Sequence, residues 1–361
     1  FCFEDMRLVI DYRLAGYSMR GMAKYCISMT NELLKSPRMS AFDIILYVDK
    51  KCKKELLPNS VEYRVLPTRN FVFGEQILLP YFLYRDKIDI LWSPHNTFPL
   101  IKIPSVKMYA TWHDLVVMDK RMKCNTLLSF LKRSYYNLIM RYGWKNLDMV
   151  CTVSEFSKKE ILNKFHFKNI LITPNCIDDF IKSIDIELKN KNYCREDFFF
   201  TVSGEFWYKN LDFLFDWFRS NRKFTLKVAG LKPNSLFYNN CPENIQILPY
   251  NIPLEKIIEY YCRCRAFLFV SKYEGFGIPI LEAMACNCRL IVSNVASIPE
   301  VCGDNGLYID PYDVNTFSEA MNKIDDFEID KNKRLHQIEK FSNWEKSANT
   351  LIDALLGDKL E

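Results

Sequence analysis

Short runs of branched and aromatic residues recur along the chain, separated by stretches with helical spacing. The first half carries RLVIDYRL (7–14), AFDIILYVD (41–49), IDILWS (88–93), VKMYATWHD (106–114) and DMVCTVS (148–154). The second half carries FFFTVSG (198–204), FTLKVAG (224–230), NIQILPY (244–250), RAFLFVS (265–271), CRLIVSN (288–294) and GLYIDP (306–311). Helical pattern fills the gaps, notably at 21–34, 254–264 and 314–324, and Ser154 is placed to cap a helix over EFSKKEILNKF. Such alternation specifies parallel sheets built from βαβ units, because parallel neighbours need a crossover long enough to hold a helix. The expected fold class is α/β, with two Rossmann-like domains facing one another and joined across the polar segment IDIELKNKNYCRED (184–197). A last helical stretch, NWEKSANTLIDALL (343–356), follows the second series. Ligands of open parallel sheets bind outside the carboxyl ends of the strands, so function is to be sought in the loops there.

A chain of 361 residues exceeds what one core usually serves, which agrees with two domains. Hydrophobic residues at 49% and charged residues at 26% describe a globular chain and exclude a disordered one. The formal charge of +5 is small for this size and does not point to nucleic acid. The 13 cysteines stand singly apart from Cys262/Cys264 and Cys286/Cys288, and neither C-x-C pair has a partner pair at zinc-site spacing. Neither a metal nor a disulfide framework is expected, and the pattern suits a reducing, cytoplasmic compartment. No apolar run approaches the ~18 residues that would span a bilayer, and no signal peptide is visible. Where membranes matter, the protein is expected to lie on the inner face of the cytoplasmic membrane.

The stretch SKYEGFGIPILEAMACNCRLIVSN (271–294) concentrates the chemistry. Glu274 falls just beyond the strand pattern AFLFVS, and GIPILEAMAC reads as a helix beginning near Gly277, with Glu282 on its early turns. Gly275 and Gly277 let backbone amides approach a ligand, and a helix start favours phosphate. Carboxylates beside an anion site suit hydrogen bonds from sugar hydroxyls, as an acidic residue makes in dinucleotide folds. The spacing alone says little, since such a glutamate pair arises about once by chance in a chain this long. The weight falls on spacing, loop glycines and strand-end position together. An acid–base couple, metal ligands and solvated charges stay open on these residues alone.

The continuation YEGFGIPILEAMACNCRLIVSNVASIPEVCGDNGLYIDPYD resembles the signature of family-four glycosyltransferases, retaining enzymes of the GT-B fold that use nucleotide-sugar donors. GMAKY (21–25), TWHDL (111–115), TVSEFSKKEI (152–161), TPNCID (173–178), YKNL (208–211) and FSNWEKSA (341–348) resemble further segments of that family, so the likeness covers nearly the whole chain. It implies an acceptor-binding domain over 1–178, a nucleotide-sugar-binding domain over 179–340, and a C-terminal helix over 341–361 that crosses back. It implies that Glu274 accepts from hydroxyls of the transferred sugar. Gly275, Phe276, Gly277 and Ile278 would present backbone amides to sugar and pyrophosphate, with Gly21 opening the corresponding loop of the first domain. Glu282 would hold the ribose, Lys209 would neutralise the leaving diphosphate, and His113 would border the anomeric centre. No metal and no other cofactor is implied. The expected partners are a nucleotide-sugar donor, with GDP-mannose first and UDP- or dTDP-sugars behind it, and a glycan or lipid-linked oligosaccharide acceptor.

Departures from the family pattern matter. Gly204, Glu205 and Tyr208 stand where a basic residue usually precedes the lysine, leaving Lys209 as the one cation assigned to the phosphates. Asn287 and Arg289 replace a usual glycine and proline, and Ala23 stands where a second glycine is common. Two rival readings stand: a different enzyme on a similar scaffold, an epimerase or a phosphorylase, and a non-catalytic nucleotide-binding or scaffold protein that keeps the fold. His95, in WSPHNTFP, is a second strand-end histidine with the acceptor as its candidate partner, whereas His166 and His336 read as surface residues. The segment 119–148 mixes Lys120, Arg121, Lys123, Lys132, Arg133, Arg141 and Lys145 with Phe130, Tyr135, Tyr136, Tyr142 and Trp144. It suits an anionic membrane surface, the alternative being a packed helix with a solvated basic face.

Overall fold

The structure is a computed structural model that describes residues 6–17, 21–59, 61–122, 126–189 and 193–360. The chain divides into two compact units, Phe1–Asn175 with Trp344–Glu361, and Cys176–Asn343. Among the described residues the first unit holds seven strands: β1 (Met6–Asp11), β2 (Phe42–Asp49), β3 (Glu62–Leu66), β4 (Ile90–Ser93), β5 (Lys107–Trp112), β6 (Met149–Thr152) and β7 (Ile170–Ile172). They form one sheet in the order β3-β2-β1-β4-β5-β6-β7, and every pairing is parallel. The second unit repeats the plan with β8 (Phe199–Val202), β9 (Leu226–Ala229), β10 (Ile245–Ile247), β11 (Ala266–Phe269), β12 (Leu290–Ser293) and β13 (Leu307–Ile309). Their order is β10-β9-β8-β11-β12-β13, again all parallel.

Both orders grow outward in one direction and then reverse, at β1/β4 in the first sheet and at β8/β11 in the second. The central strands are buried on both faces and therefore read as continuous apolar runs, as in FLF (267–269) and LIV (290–292). Two strands escaped the sequence pattern. β3, at an edge, buries only Leu66 of its five residues, and β7 has three residues in all. The segment 184–197 is not wholly a linker either, since a helix spans Asp178–Lys189. Acidic Asp178 and Asp179 in its first turn complement the helix dipole.

The C-terminal helix Trp344–Leu360 belongs to the first unit, where it packs on the Met22–Lys35 helix. Trp344, Ala348, Leu351, Ile352 and Leu355 are buried along one face at helical spacing. Tyr25 meets the Trp344 ring edge-on at 5.9 Å, and Ser347 Oγ donates to the Pro174 carbonyl at 2.7 Å. Trp344 Nε1–H is buried without a hydrogen-bond partner, so the indole stabilises by bulk rather than by its polar atom. Trp344→Ala is expected to cost about 3–5 kcal/mol. Trp344→Phe, which deletes the unpaired N–H and keeps most of the bulk, is expected to cost under about 1.5 kcal/mol. Urea unfolding followed by far-UV circular dichroism checks the pair, and equal losses for both variants would contradict the packing argument.

Candidate functional site

In the second unit, two loops leave the sheet at its point of reversal. One follows β8 and carries Lys209; the other follows β11 and carries Glu274. Lys209 Nζ donates to Glu274 Oε1 at 2.7 Å, with the side chains only 22% and 11% exposed. The ammonium also lies 5.6 Å from the centre of the Tyr208 ring and 5.7 Å from that of Phe269. Low solvent access strengthens this pair relative to a surface ion pair, since screening is weak there. Tyr208, one of the residues preceding the lysine, therefore gives it an aromatic face.

The loop between Glu274 and the helix Ile278–Ala285 is held from outside. Ser297 Oγ lies 3.0 Å from the Glu274 carbonyl and 2.8 Å from that of Phe276, within reach of both as a donor. The Phe276 ring is buried against Phe341, with ring centres 5.2 Å apart, so this residue offers a ligand its backbone and not its side chain. Gly277 caps the helix at φ +115°, a conformation side-chain-bearing residues rarely take, and a Cβ there would meet Ile280 Cδ1 at 3.2 Å. Pro279 sits in the first turn, where a missing N–H costs nothing. Glu282, one turn further on, accepts from the hydroxyl of fully buried Tyr261 at 3.1 Å. Glu274, Gly275, Phe276, Gly277, Ile278, Glu282 and Lys209 thus belong to one strand-end constellation, in which the two carboxylates have different partners.

His113 and Gly21 belong to the first unit. Gly21 caps the Met22–Lys35 helix at φ +55°, ψ −127°, again a backbone that favours glycine. His113 follows β5, with its Nε2 3.1 Å from the Pro94 carbonyl and its ring edge-on to Tyr25 at 4.8 Å. Burial pushes the imidazole down to about 4, against the carbonyl hydrogen bond that favours the protonated form. At neutral pH it is an uncharged ring carrying its proton on Nε2, which leaves Nδ1 as an acceptor. His166 and His336 are exposed.

His95 is buried, and it leads to a group the sequence did not disclose. At the first sheet's reversal, His95 Nε2 lies 3.1 Å from Asp11 Oδ2. Arg13 Nη2 donates to the same oxygen at 2.6 Å and to Glu75 Oε2 at 3.0 Å, while Thr97 Oγ1 donates to Glu75 at 2.8 Å and the Tyr135 hydroxyl to its other oxygen. Asp11, Glu75 and His95 are close enough to ligate a cation, but the Arg13 guanidinium already occupies the position between the carboxylates. Although burial opposes it, Arg13 holds the Asp11 carboxyl far below the usual range. Asp11-x-Arg13 directly after a strand was the visible signal; Glu75, 62 residues beyond Arg13, was not.

The segment 119–148 splits in two. Arg133 is spent internally, donating to the carbonyls of Val117, Met122 and Asp119, and Arg121 pairs with Asp119. Tyr135, Tyr136 and Trp144 pack on the core. Lys120, Lys132, Arg141 and Lys145 are exposed, together with Leu127, Leu128, Phe130, Leu131 and Tyr142, while Lys123 lies outside the described residues. Among the described residues no helix is long and apolar enough to cross a membrane.

Residues 183–344 match the family model of glycosyl transferases group 1. The chain carries a glycosyl transferases group 1 domain. This domain is the second unit almost residue for residue, and the resemblance to family-four glycosyltransferases holds. The O-antigen chain mannosyltransferase B of Escherichia coli is 42% identical over 114 residues, 30% of this chain and 29% of the relative, so the match spans under a third of that protein. The O-antigen chain mannosyltransferase RfbU of Salmonella typhimurium is 22% identical over 344 residues, covering 88% of this chain and 91% of the relative. Among solved structures, sucrose-phosphate synthase from Thermosynechococcus elongatus superposes with a TM-score of 0.67 at 16% identity over 98% of this chain and 99% of that one. That likeness establishes the GT-B fold for a glycosyltransferase domain and its companion sheet.

The lowered histidine gives a test of the first-unit site. An unfolded His113 titrates near 6.5 and the folded one at about 4, so the unfolded chain binds the extra proton between these values. Its contribution is therefore complete above about 6.5, declines as pH falls toward 4, and is roughly constant below. His113→Asn is expected to flatten the slope of unfolding free energy against pH in that window. Urea unfolding at several pH values checks this, and an unchanged slope would refute the buried neutral imidazole.

Proposed function

We propose that the protein is a retaining glycosyltransferase that moves a hexosyl or deoxyhexosyl group from a nucleotide sugar to a glycan or lipid-linked glycan in surface polysaccharide synthesis. Mannosyl from GDP-mannose is the first choice, in keeping with the two relatives named as O-antigen chain mannosyltransferases. The observation that carries the reading is the Lys209–Glu274 pair, set on adjacent strand ends where the sheet order reverses and beside a glycine-capped helix start. Crevices at such reversals are where open α/β sheets bind nucleotides.

In this reading the second unit takes the donor and the first the acceptor. Glu274 Oε1 is engaged by Lys209, and its other oxygen accepts from hydroxyls of the transferred sugar. Glu282 accepts from the ribose, and the amides of Gly275, Phe276, Gly277 and Ile278 turn toward the diphosphate, with Gly21 opening the matching loop of the first unit. As the glycosidic bond breaks, negative charge grows on the diphosphate, and Lys209 stabilises it where water is scarce. Lysine, amides and helix start together stand in for a metal ion. The acceptor attacks the sugar face that the leaving group vacates, and neutral His113 lends a polar group to the transferred sugar without adding charge.

Donor hydrolysis and transfer measured with GDP-mannose and with UDP- and dTDP-sugars, with and without chelator, tests this. One donor is expected to turn over at an unchanged rate in chelator. Lys209→Ala is expected to lower kcat by about 10²-fold or more. Glu282→Ala is expected to weaken donor binding by about 10–100-fold, the worth of a hydrogen bond to a charged group. Absence of turnover with every donor would favour the non-catalytic alternative, and normal binding by Glu282→Ala would remove the ribose assignment.

The exposed apolar side chains Leu127, Leu128, Phe130 and Leu131, with exposed Lys120, Lys132, Arg141 and Lys145 in the same segment, support a peripheral stay on an anionic membrane from the cytoplasmic side. No Asp or Glu occurs between Lys120 and Leu147, so nothing within the segment opposes attraction to anionic lipid. Co-sedimentation with phosphatidylglycerol vesicles is expected to exceed that with neutral ones, and Leu128→Glu with Lys132→Glu to abolish the difference. Equal, negligible binding to both vesicles would refute this surface.

A further inference from the structure

Glu282 is tethered from a neighbouring helix. The Tyr261 hydroxyl, on the helix Leu254–Arg263, donates to Glu282 Oε2 at 3.1 Å. Tyr261 is fully buried, whereas Glu282 is partly exposed. The tyrosine ring stands edge-on to three others, with centres 6.3 Å away at Phe180, 5.2 Å at Phe200 and 5.1 Å at Phe267. Phe200 and Phe267 face each other in the register of β8 and β11, and Phe180 comes from the helix Asp178–Lys189. Edge-on aromatic pairs favour particular ring orientations, so packing on three elements sets the direction in which the hydroxyl leaves the ring.

Among the described residues Glu282 is the one hydrogen-bond partner of that hydroxyl. Burial, and after it the neighbouring carboxylate, push the phenol well above its usual range. The hydroxyl therefore keeps its proton at any working pH and is always the donor. A carboxylate offers about four acceptor positions, and the tyrosine uses one of them. What the bond removes is freedom: a glutamate on a helix samples several rotamers, and the tether keeps those in which Oε2 stays within reach of a fixed ring.

We propose that Tyr261 is a positioning residue of the nucleoside subsite, and that its hold on Glu282 selects a ribonucleotide donor of the GDP or UDP type over a 2′-deoxyribonucleotide donor of the dTDP type. The inference rests on the ribose assignment of Glu282 made above. The sugar of GDP and UDP carries hydroxyls at 2′ and 3′, whereas that of dTDP carries only the 3′-hydroxyl. A mobile carboxylate tolerates the loss by turning to the remaining hydroxyl or to water. A tethered one cannot follow, and the acceptor position meant for the missing hydroxyl stays unmet. A site built to bond a hydroxyl rejects the analogue without it for this reason.

The competing account is a tyrosine that only fills the space between two helices. That role belongs to the ring, which Tyr261→Phe keeps, while selection belongs to the oxygen. Ribose contacts serve bound and reacting donor alike, so loss of the hydroxyl falls on KM for the donor more than on kcat.

Isothermal titration of the full chain with GDP, 2′-deoxy-GDP, UDP and 2′-deoxy-UDP tests this. For the base that binds, the ribonucleotide is expected to bind about 10–100-fold more tightly than its 2′-deoxy form. In Tyr261→Phe that ratio is expected to fall below about threefold. A wild-type ratio near one would overturn the proposal, and this measurement stands even where the variant does not fold. An unchanged ratio in folded Tyr261→Phe would overturn it too, as would preferential turnover of a dTDP-sugar. If Glu282→Ala weakens nucleotide binding while Tyr261→Phe keeps the ratio, the tether fails and the ribose assignment stands. If Glu282→Ala binds as the wild type does, or neither nucleotide binds the wild type, both fail.

Discussion

Everything at the candidate site depends on one topological constraint, the reversal of strand order between β8 and β11. Parallel crossovers are right-handed, so successive helices cover one face while the sheet grows one way and the other face after it turns back. At the turning point the two outgoing loops diverge and leave a crevice that no helix fills. Lys209 and Glu274 come from those two loops, which is why residues 65 apart in sequence stand 2.7 Å apart. The short register between β8 and β11, Ala266 opposite Phe199 and Phe267 opposite Phe200, fixes how far each loop starts above the sheet.

The first sheet makes the same reversal and uses it differently. Its turning point carries a buried, hydrogen-bonded cluster of Asp11, Arg13, Glu75 and His95. A buried guanidinium shared between two carboxylates compensates charges that would otherwise be costly to desolvate, and removal of one member would strand the rest. This cluster joins the loop after β1, the turn Gly74–Leu78 and the segment after β4. Gln76 extends the same join, donating to the Phe98 carbonyl and accepting from Leu100 N–H. The result is a hydrogen-bonded strand-end platform, with His113 directly after the neighbouring β5.

What the sequence disclosed was local. Glu274, the loop glycines and Glu282 lie within one strand–loop–helix unit, where periodicity and backbone chemistry are readable without tertiary knowledge. The strands buried on both faces were legible for the same reason. β3 and β7 were not, because an exposed edge strand and a three-residue strand carry little apolar pattern. Partners across the sheet were invisible too. Nothing near Lys209 announces Glu274, nothing near Arg13 announces Glu75, and nothing near Glu282 announces Tyr261. Sequence pattern reports which side chains a backbone element points where, while pairing is decided by which elements the fold brings together.

The absence of a basic residue at Gly204, Glu205 and Tyr208, just before Lys209, gains a physical meaning from the geometry. A second cation beside Lys209 would repel it and leave Glu274 with two competing donors. An aromatic ring 5.6 Å from the ammonium is instead weakly attractive, keeps water away, and leaves the Lys209–Glu274 pair balanced. Such a pair is neutral before an anion arrives, so under the proposed donor assignment an incoming diphosphate would compete with Glu274 for the lysine. That competition weakens ground-state binding more than it weakens the response to charge developing on a leaving group, because the growing charge attracts the ammonium increasingly as the bond breaks. Under the proposed donor assignment, a single lysine tethered to a carboxylate would favour a departing diphosphate over a merely bound one, which is the condition for an interaction to accelerate a reaction rather than only tighten binding.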